Sequence, residues 1–94
     1  MNLGKAIKEI RKQKGLTQSE LAKAANLTQA ALSQIENGKR PGIQTLKKIS
    51  KALKIPESLI YANSIEKTDV PKNKQLLYDQ LFPVIQNLIL QISK

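Results

Sequence analysis

Apolar residues recur along the first sixty positions at the spacing of short helices. Leu3, Ile7 and Ile10 stand at i, i+4 and i+7 and predict a first helix over 3–14. Lys5, Lys8, Lys12 and Lys14 lie elsewhere on its surface, and Gly15 is a suitable stop. Residues 17–38 hold two shorter patterns back to back, each opening with Thr-Gln. Thr17 stands three residues before Glu20, the spacing of a capping box, with Leu21, Ala24 and Ala25 turned inward and Ala22 small enough for a close helix contact. Asn26 sits in the break, where a sharp turn needs a left-handed residue. Thr28 caps the next helix, which runs to Glu36 with Ala31, Leu32 and Ile35 inward. A further helix over 43–54 places Ile43, Leu46, Ile49 and Leu53 toward the core. Pro56 opens a short helix through Tyr61 that adds Leu59 and Ile60.

The pattern changes after residue 62. Residues 63–73 read as a linker and 74–94 as a helical segment with more apolar surface than a small domain needs to cover itself. Leu77, Leu81, Ile85 (or Val84), Leu88 and Ile92 form one stripe, widened by Leu76, Phe82, Ile89 and Leu90. Pro83 must kink this helix or split it. Exposed, the stripe would aggregate, so three arrangements suit it. It pairs two copies of the chain, folds back on residues 43–61, or docks on a different protein. The stripe is too short for a long coiled coil, so the first means two kinked helices interlocking.

Composition narrows the chemistry. The 94 residues include no His and no Cys, which removes the usual neutral-pH proton carrier, disulfides and the commonest metal ligands. No catalytic group, metal or cofactor is expected. No apolar run reaches the length of about eighteen residues that a membrane span needs, and the charged N-terminus lacks a signal-peptide core, so a cytoplasmic location is expected. The net charge of +9 is uneven: residues 1–62 carry twelve Lys or Arg and four Glu, whereas 63–94 carry four Lys and three acids. A field of that sign on the first two-thirds suits a polyanion.

One helix face stands apart. If Ala31, Leu32 and Ile35 face inward, then Gln29, Ala30, Ser33, Gln34 and Asn37 face outward. Solvated helices normally carry Lys and Glu. This one carries amides and a hydroxyl, which donate and accept hydrogen bonds in pairs. A Gln amide matches the N6 and N7 of adenine, and Ala30 could touch a thymine methyl. The basic loop Lys39-Arg40-Pro41-Gly42 follows directly.

The residues Arg11, Gly15-Leu16-Thr17-Gln18, Glu20-Leu21-Ala22, Ala25-Asn26-Leu27-Thr28, Ser33 to Gly38, Pro41 and Leu46 together resemble the Cro and repressor-type (Xre-like) helix-turn-helix family of bacterial and phage transcription regulators. The resemblance covers residues 3–61, and Asn26 stands where the family commonly has Gly. It implies an all-α fold: a five-helix helix-turn-helix domain over 1–62, followed here by the Pro-kinked C-terminal helix. It implies that the helix over 28–36 enters the major groove, with Gln29, Ala30, Ser33 and Gln34 reading bases. Gln18, Thr28, Asn37, Lys39 and Arg40 would hold the phosphate backbone. Arg11 and Glu36 would form a partly buried ion pair, with Arg11 as a direct phosphate contact the alternative. The chain is then expected to be a repressor or autoregulator that binds a pseudo-palindromic operator in double-stranded DNA as a homodimer. The competing expectation is an antitoxin or adaptor whose C-terminal helix binds another protein.

Overall fold

A computed structural model describes residues 1–92, and all of its regular elements are helical. The helices are α1 (Leu3–Gln13), α2 (Gln18–Ala24), α3 (Gln29–Glu36), α4 (Ile43–Leu53), α5 (Glu57–Ser64) and α6 (Gln75–Ile92). Two single 3-10 turns, Lys67–Asp69 and Lys72–Lys74, occupy the stretch before α6. Residues 93 and 94, the end of the expected C-terminal segment, lie outside the described residues.

The first four helices end in the same way. A left-handed residue follows each: Gly15, Asn26, Gly38 and Lys54, with φ of 72°, 55°, 119° and 59°. The next N–H then reaches the carbonyl five residues back: Leu16 to Arg11, Leu27 to Ala22, Lys39 to Gln34 and Ile55 to Ser50, at 2.8–3.2 Å. This is the Schellman closure, which satisfies carbonyls that a helix end leaves bare. The starts are capped where the sequence supplies the right side chain. Asn2 accepts from the Lys5 N–H, Thr17 from Glu20 and Thr28 from Ala31. Glu20 returns the bond to the Thr17 N–H at 2.9 Å, completing the capping box.

The core is aliphatic. Ile7, Ile10, Leu21, Leu32, Ile49, Leu53 and Ile60 are fully buried. α1 packs on α3 and α5, and α2 on α3 and α4. Gly4 makes the α1–α3 contact close: a Cβ there would lie 2.0 Å from the Ile35 carbonyl oxygen. Two inward assignments are corrected. Ala24 is exposed, while Ala25 is buried as expected and Ala22 makes the close contact, because α2 faces α3 and α4 together and its buried edge is rotated toward them. Ile43 is 76% exposed. It opens α4 beside the Pro41-Gly42 loop, ahead of the stretch where Leu46, Ile49 and Leu53 meet the core.

α6 uses two faces. Its inner face, Tyr78, Phe82, Ile85 and Ile89, turns toward the domain, where α6 packs on α5. Ile89 is fully buried in the main core, which stabilises the docked helix by about 1.5–3 kcal/mol. Leu77, Leu81, Val84 and Leu88 form an exposed row beside it, with Ile92 beyond. Ile85, expected in the dimerisation stripe, is half-buried against the core of its own domain, since it lies one turn before Ile89. Pro83 sits inside one unbroken helix rather than dividing two. Its ring is exposed, so the carbonyl it leaves bare is offset by solvent.

Candidate nucleic-acid interface

α3 is fixed from behind. Leu32 and Ile35 anchor it in the core, and Glu36 closes its C-terminal end. Arg11 reaches Glu36 from α1 with two bonds, Nε to Oε2 at 2.8 Å and Nη2 to Oε1 at 3.0 Å. Its Nη1 donates to the Leu16 carbonyl at 2.8 Å. The pair is buried, with the Glu36 side chain 1% exposed. Gln18 adds a third donor, Nε2 to Glu36 Oε1 at 3.0 Å. Burial alone would push the Glu36 carboxyl up; the bonds from Arg11 and Gln18, and the charge of Arg11, outweigh it and hold the group below the ordinary glutamate range. The start of α2, the end of α1 and the end of α3 therefore meet at one carboxylate.

The opposite side of α3 faces out. Gln29, Ala30 and Gln34 are exposed and Ser33 is half-buried. At 100° per residue these four span roughly 140° of the helix, enough to present together to one surface. None is charged. Asn37 lies one turn after Ser33 and donates to its hydroxyl at 3.4 Å, and Lys39 and Arg40 follow on an exposed loop. Thr28 is exposed at the head of α3, with its hydroxyl committed to the cap. The Gln18 side chain is half-buried and tied to Glu36, while its backbone N–H heads α2, where no helical carbonyl can reach it.

Two features of this site lie beyond what helical spacing reveals. Ser19 Oγ lies 2.9 Å from Gln29 Oε1, joining the first turns of α2 and α3. The two residues are ten apart, and no helical period links them; only the short turn at Asn26 brings them together. Gly4 is the other, since it sets how closely α1 supports the end of α3. The exposed acid at the α2 start, Glu20, is turned back onto the Thr17 N–H, and that bond holds its carboxyl below the ordinary range. The outward surface is thus polar, basic at its edge and rigidly backed.

A helix-turn-helix family profile matches residues 7–60. The transcriptional repressor RghR of Bacillus subtilis (strain 168) is 41% identical over 63 residues, covering 64% of this chain and 47% of RghR. The immunity repressor protein of Bacillus phage phi105 is 35% identical over 88 residues, covering 80% of this chain and 61% of the repressor. The chain thus spans about half the length of the first and under two-thirds of the second. Among solved structures, a tyrosine-to-alanine mutant of the restriction-modification controller protein C.Esp1396I superposes with a TM-score of 0.61 at 34% identity, over 65% of this chain and 80% of that one. The backbone turn at Asn26, the capped pair α2–α3 and a profile match over more than half the sequence agree, and the chain belongs to the helix-turn-helix family.

Proposed function

We propose that the chain is a sequence-specific DNA-binding transcription regulator, acting as a repressor or autoregulator. The observation that carries this reading is the exposed, uncharged hydrogen-bonding face of α3, braced behind by the Arg11–Glu36–Gln18 cluster. The names of the relatives, a repressor and an immunity repressor, support it. In this reading α3 lies in the major groove and Gln29, Ala30, Ser33 and Gln34 address base edges. Gln18, Thr28, Asn37, Lys39 and Arg40 hold the flanking phosphates, which fix position without reading sequence. Residues 1–62 do the reading, and 74–94 pair two copies so that two α3 helices meet successive grooves about 34–36 Å apart on a pseudo-palindromic operator.

The exposed row Leu77, Leu81, Val84 and Leu88 supports the pairing role, because a row of this size left in water favours association. Among the described residues no helix is long and apolar enough to cross a membrane.

Site selection from randomised duplexes tests the reading directly. Gln29→Ala is expected to weaken the selected operator by about 1–3 kcal/mol and leave random DNA unaffected. Equal loss on both would remove the base-reading role. Lys39→Ala is expected to weaken both and to flatten the salt dependence by about one unit of slope. Leu81→Glu is expected to leave the helical fold intact and turn a dimer into a monomer by light scattering; a dimer that persists would take the pairing away from α6.

A further inference from the structure

An apolar groove of about 290 Å³ opens beside the exposed row of α6. Ala62 of α5, and Ile65 and Val70 of the stretch that follows it, line the groove together with Leu77 and Leu81 of α6. Its open surface is wholly apolar. Lys74 is the one charged residue that borders it, and a lysine can lend such a surface its aliphatic stem. Leu77 and Leu81 belong to the groove and to the exposed row at once, so an occupant of one covers part of the other. The occupant must itself be apolar. Asp79 is the only charged residue of α6, and it is held by Lys67 at 2.9 Å.

We propose that the groove seats the partner's Leu88 in an antiparallel, twofold pair of α6 helices. This rests on the reading of α6 as the pairing element, and adds which surface receives the second copy and in which direction the two helices run. The groove flanks the first half of α6, whereas Leu88 and Ile92 lie exposed beyond it. A parallel pair would set groove against groove and leave both unfilled, which forfeits close packing. An antiparallel pair lays the second half of each helix over the groove of the other, and the twofold axis makes every such contact twice. The sequence fits this register. Leu81 and Leu88, and likewise Leu77 and Ile92, stand equally far on either side of the Val84–Ile85 peptide. With the axis there, Leu81 meets the partner's Leu88 and Leu77 meets the partner's Ile92. Ile65 and Val70 lie in the connection between α5 and α6, so the same contact clamps that connection. Pairing then also fixes how α6 is joined to residues 1–62.

The full-length chain contains no cysteine, so substituted cysteines report its contacts without background. Leu81→Cys and Leu88→Cys chains, mixed, allowed to exchange and oxidised, are expected to form a disulfide-linked heterodimer, at least about fivefold more than either forms alone. Like positions lie about 10 Å apart along antiparallel axes, whereas Leu81 and the partner's Leu88 face each other. Efficient bridging of either variant with itself would mean a parallel pair and overturn the proposal. Val70→Asp puts a charge in the groove at a residue outside the exposed row. It is expected to raise the dimer dissociation constant at least about tenfold in sedimentation equilibrium, with helical circular dichroism unchanged. Val70→Thr keeps the shape and adds one hydroxyl; it is expected to raise the constant about threefold, and it decides the matter if the aspartate lowers the helical signal. Wild-type affinity in a folded Val70→Asp chain, or in Val70→Thr if the aspartate unfolds, would remove the groove as the seat and leave pairing through α6 standing. A monomeric wild type would remove the pairing reading and this proposal together.

Discussion

Arg11 and Glu36, twenty-five residues apart, form a buried two-bond ion pair that ties the last turn of α1 to the last turn of α3. A buried pair contributes little net stability compared with apolar residues of the same shape, but removing one partner strands a charge. Arg11→Ala is expected to lower unfolding free energy by about 3–5 kcal/mol, measured by urea denaturation. Wild-type stability in that variant would mean that the pair is not a structural anchor. Acid should act on the same contact. The folded carboxyl of Glu36 titrates below its ordinary value of 4.5. The contribution of the pair is therefore complete above that value and is lost as the pH falls through the lower folded one. Wild type should show this acid limb in its melting temperature, and Arg11→Ala should show it weakened.

Gly4 matters for space rather than for flexibility. A methyl group at this position would press on the Ile35 carbonyl at 2.0 Å and sit 3.3 Å from the Glu36 Cα, all of it backbone. Neither helix can yield by turning a side chain. Gly4→Ala is expected to destabilise the domain by about 1–3 kcal/mol through overpacking, and to move α3 relative to α1. Unchanged stability and unchanged amide chemical shifts along α3 would refute the close contact.

Lys54 occupies a left-handed conformation, φ 59°, that its side chain does not favour. It also neighbours Lys14, whose ammonium donates to the Leu53 carbonyl and is held below the ordinary lysine range by burial and by the charge of Lys54. Lys54→Gly relieves both the backbone and the repulsion. Against this stands the greater freedom of Gly in the unfolded chain. The net expectation is a gain of about 0.5–1 kcal/mol in unfolding free energy. A loss would show that the lysine stem packs usefully on its neighbours.

Asn63 is buried at 4% exposure, and neither end of its amide has a hydrogen-bond partner among the described protein groups. An amide in that position loses its hydration without a protein bond in return. Asn63→Leu, which keeps a similar size, is expected to raise stability by about 1 kcal/mol in thermal unfolding. A lower melting temperature would mean that the amide is satisfied from outside the protein.

Local rules made much of this legible in the sequence. The caps at Thr17 and Thr28, the stops at Gly15 and Asn26, and the fully buried Ile7, Ile10, Leu32 and Ile49 follow from spacing and turn chemistry within a few residues. The Arg11–Glu36 pair is legible only through the family resemblance, since nothing in helical periodicity links residues so far apart. What escaped depends on neighbours. Periodicity orients a face about its own axis but does not say what covers it, so Ile43 reads as inward although it is exposed, and Ile85 reads as one member of an undivided apolar stripe although it meets the core. The sequence allows α6 to fold back, to pair two copies or to dock on another protein. With apolar residues around most of its circumference it does the first through Ile89 and leaves Leu77, Leu81 and Leu88 exposed. Ser19 meets Gln29, and Gly4 meets Ile35, only after two helices are docked.

The four matching helix ends carry a consequence for how the chain folds. Each of these four corners is closed by bonds between residues three and five apart, so the changes of direction among the first five helices are specified locally. The search then reduces to bringing a few pre-turned helices together. Helical domains with such local contacts reach the native state in roughly microseconds to milliseconds. The step that must wait longest is the docking of α6, which brings Ile85 and Ile89 to a core that the first five helices supply.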